Sequence, residues 1–265
     1  MSRHSSLPIA LQQALGERRA LKVIAGLANL DRGAVGRIAR AAAAGGADLI
    51  DVACEADLVR LVATEAPGLP ICVSAVEPER FAAAVEAGAA MVEIGNFDVF
   101  YPQGRVFGGE EVLALTRRTR ELLPQTVLSV TVPHLLPLDG QEQLAVDLAA
   151  AGADWIQTEG GTSARPFSPG TLGLIEKAAP TLAAAHGISR ALAAADLPLP
   201  VLCASGLSAV TLPMAFAAGA SGVGVGSAVN RLEDELAMVA VVRALREAIP
   251  APAQQAAGRC PSPGL

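Results

Sequence analysis

The sequence holds only eight aromatic residues and two lysines, no CxxC pair and no basic run, and each shortage removes a class of function. With 20 basic against 26 acidic residues, a formal charge of −6 and few rings to stack on bases, neither nucleic acid nor an anionic membrane is an expected partner. The four cysteines, Cys54, Cys72, Cys203 and Cys260, lack metal-ligand spacing and three lie in or beside apparent strands. Zinc and a disulfide framework are therefore not expected, and a reducing compartment is. No charged residue occurs over 197–230, yet Pro198, Pro200, Gly206, Pro213 and Gly219 cut that stretch into pieces shorter than a bilayer requires. It reads as buried core. Residues 1–19 carry Arg3, Glu17, Arg18 and Arg19 without a continuous apolar stretch, so no secretory signal is expected and the cytoplasm is the expected location.

What the chain has instead is alternation. Apolar runs of strand length at 21–25, 49–53, 71–74, 91–94, 127–132, 155–158 and 201–204, and around Val223 and Val225, are separated by helical patterns. These fall at 33–44, 55–64, 78–87, 109–123 and 138–151, with a last helix over 233–249. The longest crossover, 168–196, reads as two helical pieces parted near Pro180, and Ser208 reads as the N-cap of the helix after the seventh strand. Strand–helix alternation implies a parallel sheet. An open Rossmann sheet would want a glycine-rich fingerprint after the first strand, where this chain has Gly26-Leu27-Ala28-Asn29-Leu30. The expected fold is a single α/β domain, a (β/α)8 barrel over 20–249. A short helix over 8–16, within an N-terminal extension 1–19, should cover its bottom, and 250–265, rich in Pro, Gly and Ala without periodicity, should be a disordered tail. Gly46-Ala47-Asp48, Gly88-Ala89-Ala90, Gly152-Ala153-Asp154 and Gly219-Ala220-Ser221 each precede an even-numbered strand, a pattern of paired βα modules used four times, with each glycine in a left-handed helix-ending position.

Parity within the strands sets polar against apolar faces. Lys22, Asp51, Glu93, Ser129, Thr131, Gln157 and Glu159 oppose the apolar neighbours that must meet the helices, and Cys72, Ser74 and Ser205 are read on the same side. The polar faces then point into the barrel, where branched apolar residues are usual. A buried lysine and carboxylates must pair, so Lys22 should meet Asp51, Glu93 or both. In a chain with two lysines among 20 basic residues, Lys22 is read either as a reactive or polarising amine, with Glu93 or Glu159 moving protons, or as a buried structural ion pair.

Small turns end the seventh and eighth strands. Ser205-Gly206 and Gly224-Val225-Gly226-Ser227 leave backbone N–H groups free to close on an anion, in the place where parallel barrels hold phosphate; the alternative is that these glycines only allow tight packing. Around the expected mouth stand Asn96, the loop with Phe97, Asp98, Phe100, Tyr101, Arg105 and Phe107, then His134, and Gly160 and Gly161 with Arg165 beyond them. The long loop is a candidate lid. Arg105 and Arg165 are candidate anion contacts, and His134 is either catalytic or a surface histidine. No tight carboxylate spacing argues for a metal at Asp51, Glu93 and Glu159.

The runs ALKVIAGLANLD, DLIDVAC, PICVSAVEP, VEIGNFDVFYPQGR, LSVTVPH, DWIQTEGGTS and VLCASGLSAV, followed by GVGVGSAVN, resemble the hypothetical chloroplast open reading frame twenty-three family of cyanobacteria and plastid genomes over about 18–248. The resemblance implies a phosphate-binding TIM barrel in cyanobacterial cytoplasm or plastid stroma and carries no established reaction. The sequence thus leaves three readings: a lyase, isomerase or synthase acting on a small phosphorylated metabolite; an oxidoreductase whose cup holds the phosphate of flavin mononucleotide; or a non-catalytic metabolite sensor. The oligomeric state stays open.

Overall fold

Each apolar run becomes a strand of a closed parallel barrel with neighbours in chain order, β1 pairing with β8. The strands are β1 (Ala20–Gly26), β2 (Leu49–Ala53), β3 (Ile71–Ala75), β4 (Met91–Ile94), β5 (Val127–Thr131), β6 (Trp155–Gln157), β7 (Val201–Ala204) and β8 (Gly222–Val225). The helices are α1 (Ile9–Gly16), α2 (Arg32–Gly45), α3 (Ala56–Glu65), α4 (Phe81–Glu86), α5 (Gly109–Leu122), α6 (Leu138–Ala150), α7 (Gly170–Ala194), α8 (Leu212–Ala217), α9 (Ser227–Asn230) and α10 (Glu235–Ala248). The structure, a computed structural model, describes residues 3–251; the tail expected to be disordered lies outside them but for its first two positions, as does Cys260.

The helix ends follow from local chemistry. Asp31 accepts from the backbone N–H groups of Gly33 and Ala34 at 2.8 and 3.1 Å and starts α2. Gly46, Gly88, Gly152 and Gly219 all have positive φ, and each makes the paired reverse turn seen at α2, where Ala47 N bonds Ala42 O and Gly46 N bonds Ala43 O. Asp48 and Asp154, closing two of these turns, accept from Leu21 N and Leu128 N, which ties each even strand to the odd one before it.

Inside the barrel the side chains form layers. At the bottom, Leu49, Cys72, Met91, Val127, Trp155 and Leu202 meet Leu7, Leu11 and Leu15 from the α1 region, so the N-terminal helix does cover this end. Above them lies the polar layer of Lys22, Asp51, Ser74, Glu93, Ser129 and Gln157, all at most 1 % exposed. The outer faces of the strands join the helices in the main apolar core.

Three expectations change. The long crossover is one helix that runs through Pro180, because Thr181 is pinned beside it: Thr181 Oγ1 lies 2.5 Å from both Ala204 O and Thr158 Oγ1. Helix α8 begins four residues after Ser208, with Thr211 at its cap position, since Leu212-Pro213 supplies a first turn that needs no donor from the proline. In β7 the parity is reversed: Leu202 joins the interior layer while Cys203 faces Thr181 of α7, so Ser205 does not share a face with Cys72 and Ser74 and reaches the mouth only because its φ is +75°.

Candidate functional site

Lys22 sits in the middle of the polar layer. Its Nζ donates to Glu93 Oε2 at 2.7 Å and Gln157 Oε1 at 3.1 Å and lies 3.8 Å from Asp51 Oδ1, so the expected pairing with both carboxylates is present. Ser129 Oγ donates to Glu93 Oε2 at 2.7 Å, Gln157 Nε2 to Glu93 Oε1 at 2.7 Å, and Ser74 Oγ to Asp51. Asn96 Nδ2 closes the layer from above, within 2.9–3.3 Å of Ser74, Glu93 and Asp51, from a left-handed backbone that asparagine tolerates. Burial opposes a charge on Lys22, but Asp51 and Glu93 outweigh it and hold the amine well above the ordinary lysine range. Burial pushes the Asp51 carboxyl up, against the pull of Lys22. An amine held as ammonium and fully enclosed has no lone pair to attack a carbonyl. Lys22, Asp51, Ser74 and Glu93 lie under the floor of the cavity; Asn96, Thr131 and Gln157 are the floor.

That cavity, about 280 Å³, opens at the C-terminal ends of the strands between β1, the β4 turn and β5 to β8. Ser205, Gly206, Gly226 and Ser227 line it, together with Ile24, Gly26 and Asn230, which the sequence reading did not single out. Gly224 does not. A Cβ there would lie 2.8 Å from Ala204 Cβ and 2.9 Å from Ile24 Cδ1, so this glycine makes room for interior packing, the alternative the sequence left open. Gly161 lets two loops touch: a Cβ would meet Gly206 Cα and Ser205 O at 2.4 Å. A second cavity of about 250 Å³ shares Gly206 and Ser227 and adds Lys177 and Arg231 behind the turns. Among the described residues neither cation forms an ion pair. Lys177 stands 28 residues before Ser205 and was out of reach of the sequence reading, whereas Arg231, four residues after Ser227, was near enough to be found.

Beside the Ser205 turn, Asp98, Tyr101, His134 and Glu159 converge. Glu159 is 4 % exposed; its Oε1 accepts from the Tyr101 hydroxyl, from His134 N at 3.2 Å and lies 3.1 Å from His134 Nδ1. Asp98 Oδ2 accepts from Ser205 Oγ at 3.0 Å, which itself accepts from Thr162 N at 2.9 Å. Gly160 has φ +121° and a Cβ there would crowd Pro180 and His134, so the bend that brings His134 onto Glu159 needs glycine. Burial lowers the affinity of His134 for a proton, but Glu159 and Asp98 outweigh it and raise it; burial, with Asp98, raises Glu159 despite its hydrogen bonds. Burial and Glu159 push the Tyr101 phenol up.

Arg105 is not at the site. It pairs with Glu111 and stacks 4.2 Å over the Phe107 ring, because the loop's aromatics turn inward: Phe97 and Phe107 are buried 4.5 Å apart, with Phe100 at their edge. Rather than a free lid, this loop is anchored by its rings, and Tyr101 is the one that reaches the chemistry.

A closed eight-stranded parallel barrel with its cavity at the C-terminal ends of the strands is a TIM barrel. Residues 6–255 match the model of the family described as "Protein of unknown function (DUF561)", and the chain belongs to it. It is 44 % identical over 225 residues to "Uncharacterized protein ycf23" of Cyanophora paradoxa, covering 85 % of this chain and 90 % of that one. Among solved structures it is similar in fold to 3-hexulose-6-phosphate synthase (TM-score 0.59, 18 % identity, 87 % of this chain and 100 % of that one). It is also similar to thiamine phosphate pyrophosphorylase from Pyrococcus furiosus (TM-score 0.56, 16 % identity, 89 % and 97 %). No helix among the described residues is long and apolar enough to cross a membrane.

Proposed function

We propose that the barrel binds a small phosphorylated metabolite and acts on it as a lyase, isomerase or synthase. The phosphate would lie on the seam of Ser205, Gly206, Gly226 and Ser227, with Lys177 and Arg231 supplying positive charge from behind. The observation that carries this is the seam itself: two turns with little side chain that line one cavity and share a second with two cations, neither of which forms an ion pair among the described residues. The remainder of the ligand would reach across the floor of Thr131 and Gln157 to His134 and Glu159, which move protons. Lys22 and Glu93 are positioning residues that fix the Gln157 carboxamide from below. Both structural neighbours are named for phosphate esters, in keeping with the reading. A cavity of about 280 Å³ is at the small end of ligand pockets, which favours a compact sugar phosphate over flavin mononucleotide. Cytoplasm or plastid stroma is the setting that free, buried thiols suit.

Thermal melting against sugar phosphates, flavin mononucleotide and inorganic phosphate tests the reading. A ligand at about 100 times its Kd adds roughly 2.7 kcal/mol, several degrees for a domain of this size. Lys177→Glu should abolish that shift while leaving the unliganded midpoint near wild type; Gly226→Asp should abolish it too, at some cost to the midpoint, since a Cβ there would lie 3.1 Å from Ile24 O. Binding without turnover of any compound would favour the sensor; a yellow protein after incubation with flavin mononucleotide and desalting would favour the oxidoreductase.

A further inference from the structure

We propose that Asp98, His134 and Glu159 form a binding site for one divalent transition-metal cation at the mouth of the barrel. Each residue comes from a different strand end, after β4, after β5 and after β6, and one ligand atom from each lies within 4.8 Å of the others. The two carboxylates are divided in the same way. One oxygen of each is already held: Glu159 Oε1 by the Tyr101 hydroxyl and His134 N, Asp98 Oδ2 by Ser205 Oγ. The other oxygen of each, Glu159 Oε2 and Asp98 Oδ1, is buried without any hydrogen-bond partner. An unpartnered carboxylate oxygen in a side chain only 4 % exposed is costly unless something binds it; among the described residues no lysine or arginine pairs with either carboxylate, and His134 Nδ1, 3.1 Å from Glu159 Oε1 and 3.8 Å from Asp98 Oδ1, would pair with them only when protonated. A divalent cation supplies what both oxygens lack.

The bonds to the held oxygens are the outer contacts that orient metal ligands. One imidazole with two carboxylates suits Mn²⁺, Co²⁺ or Zn²⁺ better than an all-oxygen cation such as Ca²⁺. Three protein ligands leave positions open toward the cavity, the pattern of a site that takes a substrate oxygen or water. With a cation bound, His134 and Glu159 would be its ligands in place of the proton-moving roles given above, and the loaded site would polarise a ligand oxygen. The sequence reading found no ligand spacing to argue for a metal at Asp51, Glu93 and Glu159 and did not group Glu159 with Asp98 and His134. The site adjoins the phosphate seam through the bond from Ser205 to Asp98, so it is tested with the metal alone and no phosphorylated compound present.

Co²⁺ alone, titrated into chelator-treated, tag-free protein, is the probe. The expected result is one equivalent bound, with visible d–d absorption saturating at a 1:1 ratio and displaced by Zn²⁺. Glu159→Gln and His134→Gln should each weaken Co²⁺ binding at least tenfold, and Tyr101→Phe, which keeps all three ligands, should weaken it about 10- to 100-fold. Circular dichroism and melting of the metal-free variants check folding; should Glu159→Gln not fold, the other two variants decide. No stoichiometric absorption in the wild type would overturn the proposal. So would unchanged affinity in the folded His134→Gln and Tyr101→Phe proteins, or a near-ultraviolet thiolate band placing Co²⁺ on cysteine.

Discussion

A buried ammonium between two carboxylates is a strong constraint on stability. Lys22→Met would leave Glu93 and Asp51 facing each other without a cation, and should cost about 3–5 kcal/mol in urea unfolding at neutral pH. Adding Glu93→Gln should recover part of it, so the double variant loses less than the sum of the singles. A loss below about 1 kcal/mol for Lys22→Met would mean the layer is wet or rearranged. That Lys22, Asp51 and Glu93 share the interior was legible from strand parity alone. Their distance from the ligand was not, since parity gives a face and not a depth: Gln157 and Asn96 cover them. His4 offers a second test. Trp155 Nε1, on the only tryptophan, donates to His4 Nε2 at 2.8 Å, which requires that nitrogen to be unprotonated. Burial lowers the His4 pKa, with Arg3 acting the same way and Asp154, itself paired with Arg120, opposing. A depressed histidine stabilises the fold fully above its unfolded value of about 6.5, and that contribution is lost as pH falls toward the folded value. Trp155 fluorescence should change only below that pH, and His4→Gln should remove the transition. A change centred above it would contradict the assignment.

Among the elements, the repeated helix endings were the most readable feature, because glycine followed by a small residue and a strand has one physical use, the left-handed reverse turn. Close helix contacts were not readable. At Gly45 an added Cβ would lie 2.4 Å from Val242 Cβ, so α2 and α10 approach through a glycine that the sequence reading left just past the end of its helix at 33–44. Gly45→Ala should therefore destabilise by about 1–3 kcal/mol despite alanine's better helix propensity, measured by thermal unfolding. A neutral or stabilising result would show that the two helices slide apart freely. The reading of 168–196 as two helices failed for a related reason. Propensity penalises proline within a helix, whereas the contacts of Thr181 with Thr158 and Ala204, made across the fold, hold α7 through it. Arg105 was misplaced because the number of aromatics in a loop does not say which way they turn.

Taken whole, the molecule is a barrel closed below by α1 and filled midway by a charged layer, which leaves its cavity at the upper rim. That rim carries two adjoining groups, the glycine turns with Lys177 and Arg231 nearby, and Asp98, His134 and Glu159, joined by the bond from Ser205 to Asp98. The seam was legible because adjacent glycine turns after the last two strands have few uses. The second group was half legible: His134 and Glu159 were singled out, but their contact, with Tyr101 and Asp98 completing it, depends on how three loops fold over one another. Equilibrium binding of a matched pair, the sugar phosphate that shifts melting and the same sugar without its phosphate, decides whether the seam is the anchor. The phosphate ester should bind at least 100-fold more tightly to the wild type, a difference of roughly 2.7 kcal/mol, and Gly226→Asp should bring the two to the same weak affinity. Equal affinity of the wild type for both, or a preference that survives Gly226→Asp and Lys177→Glu, would contradict it.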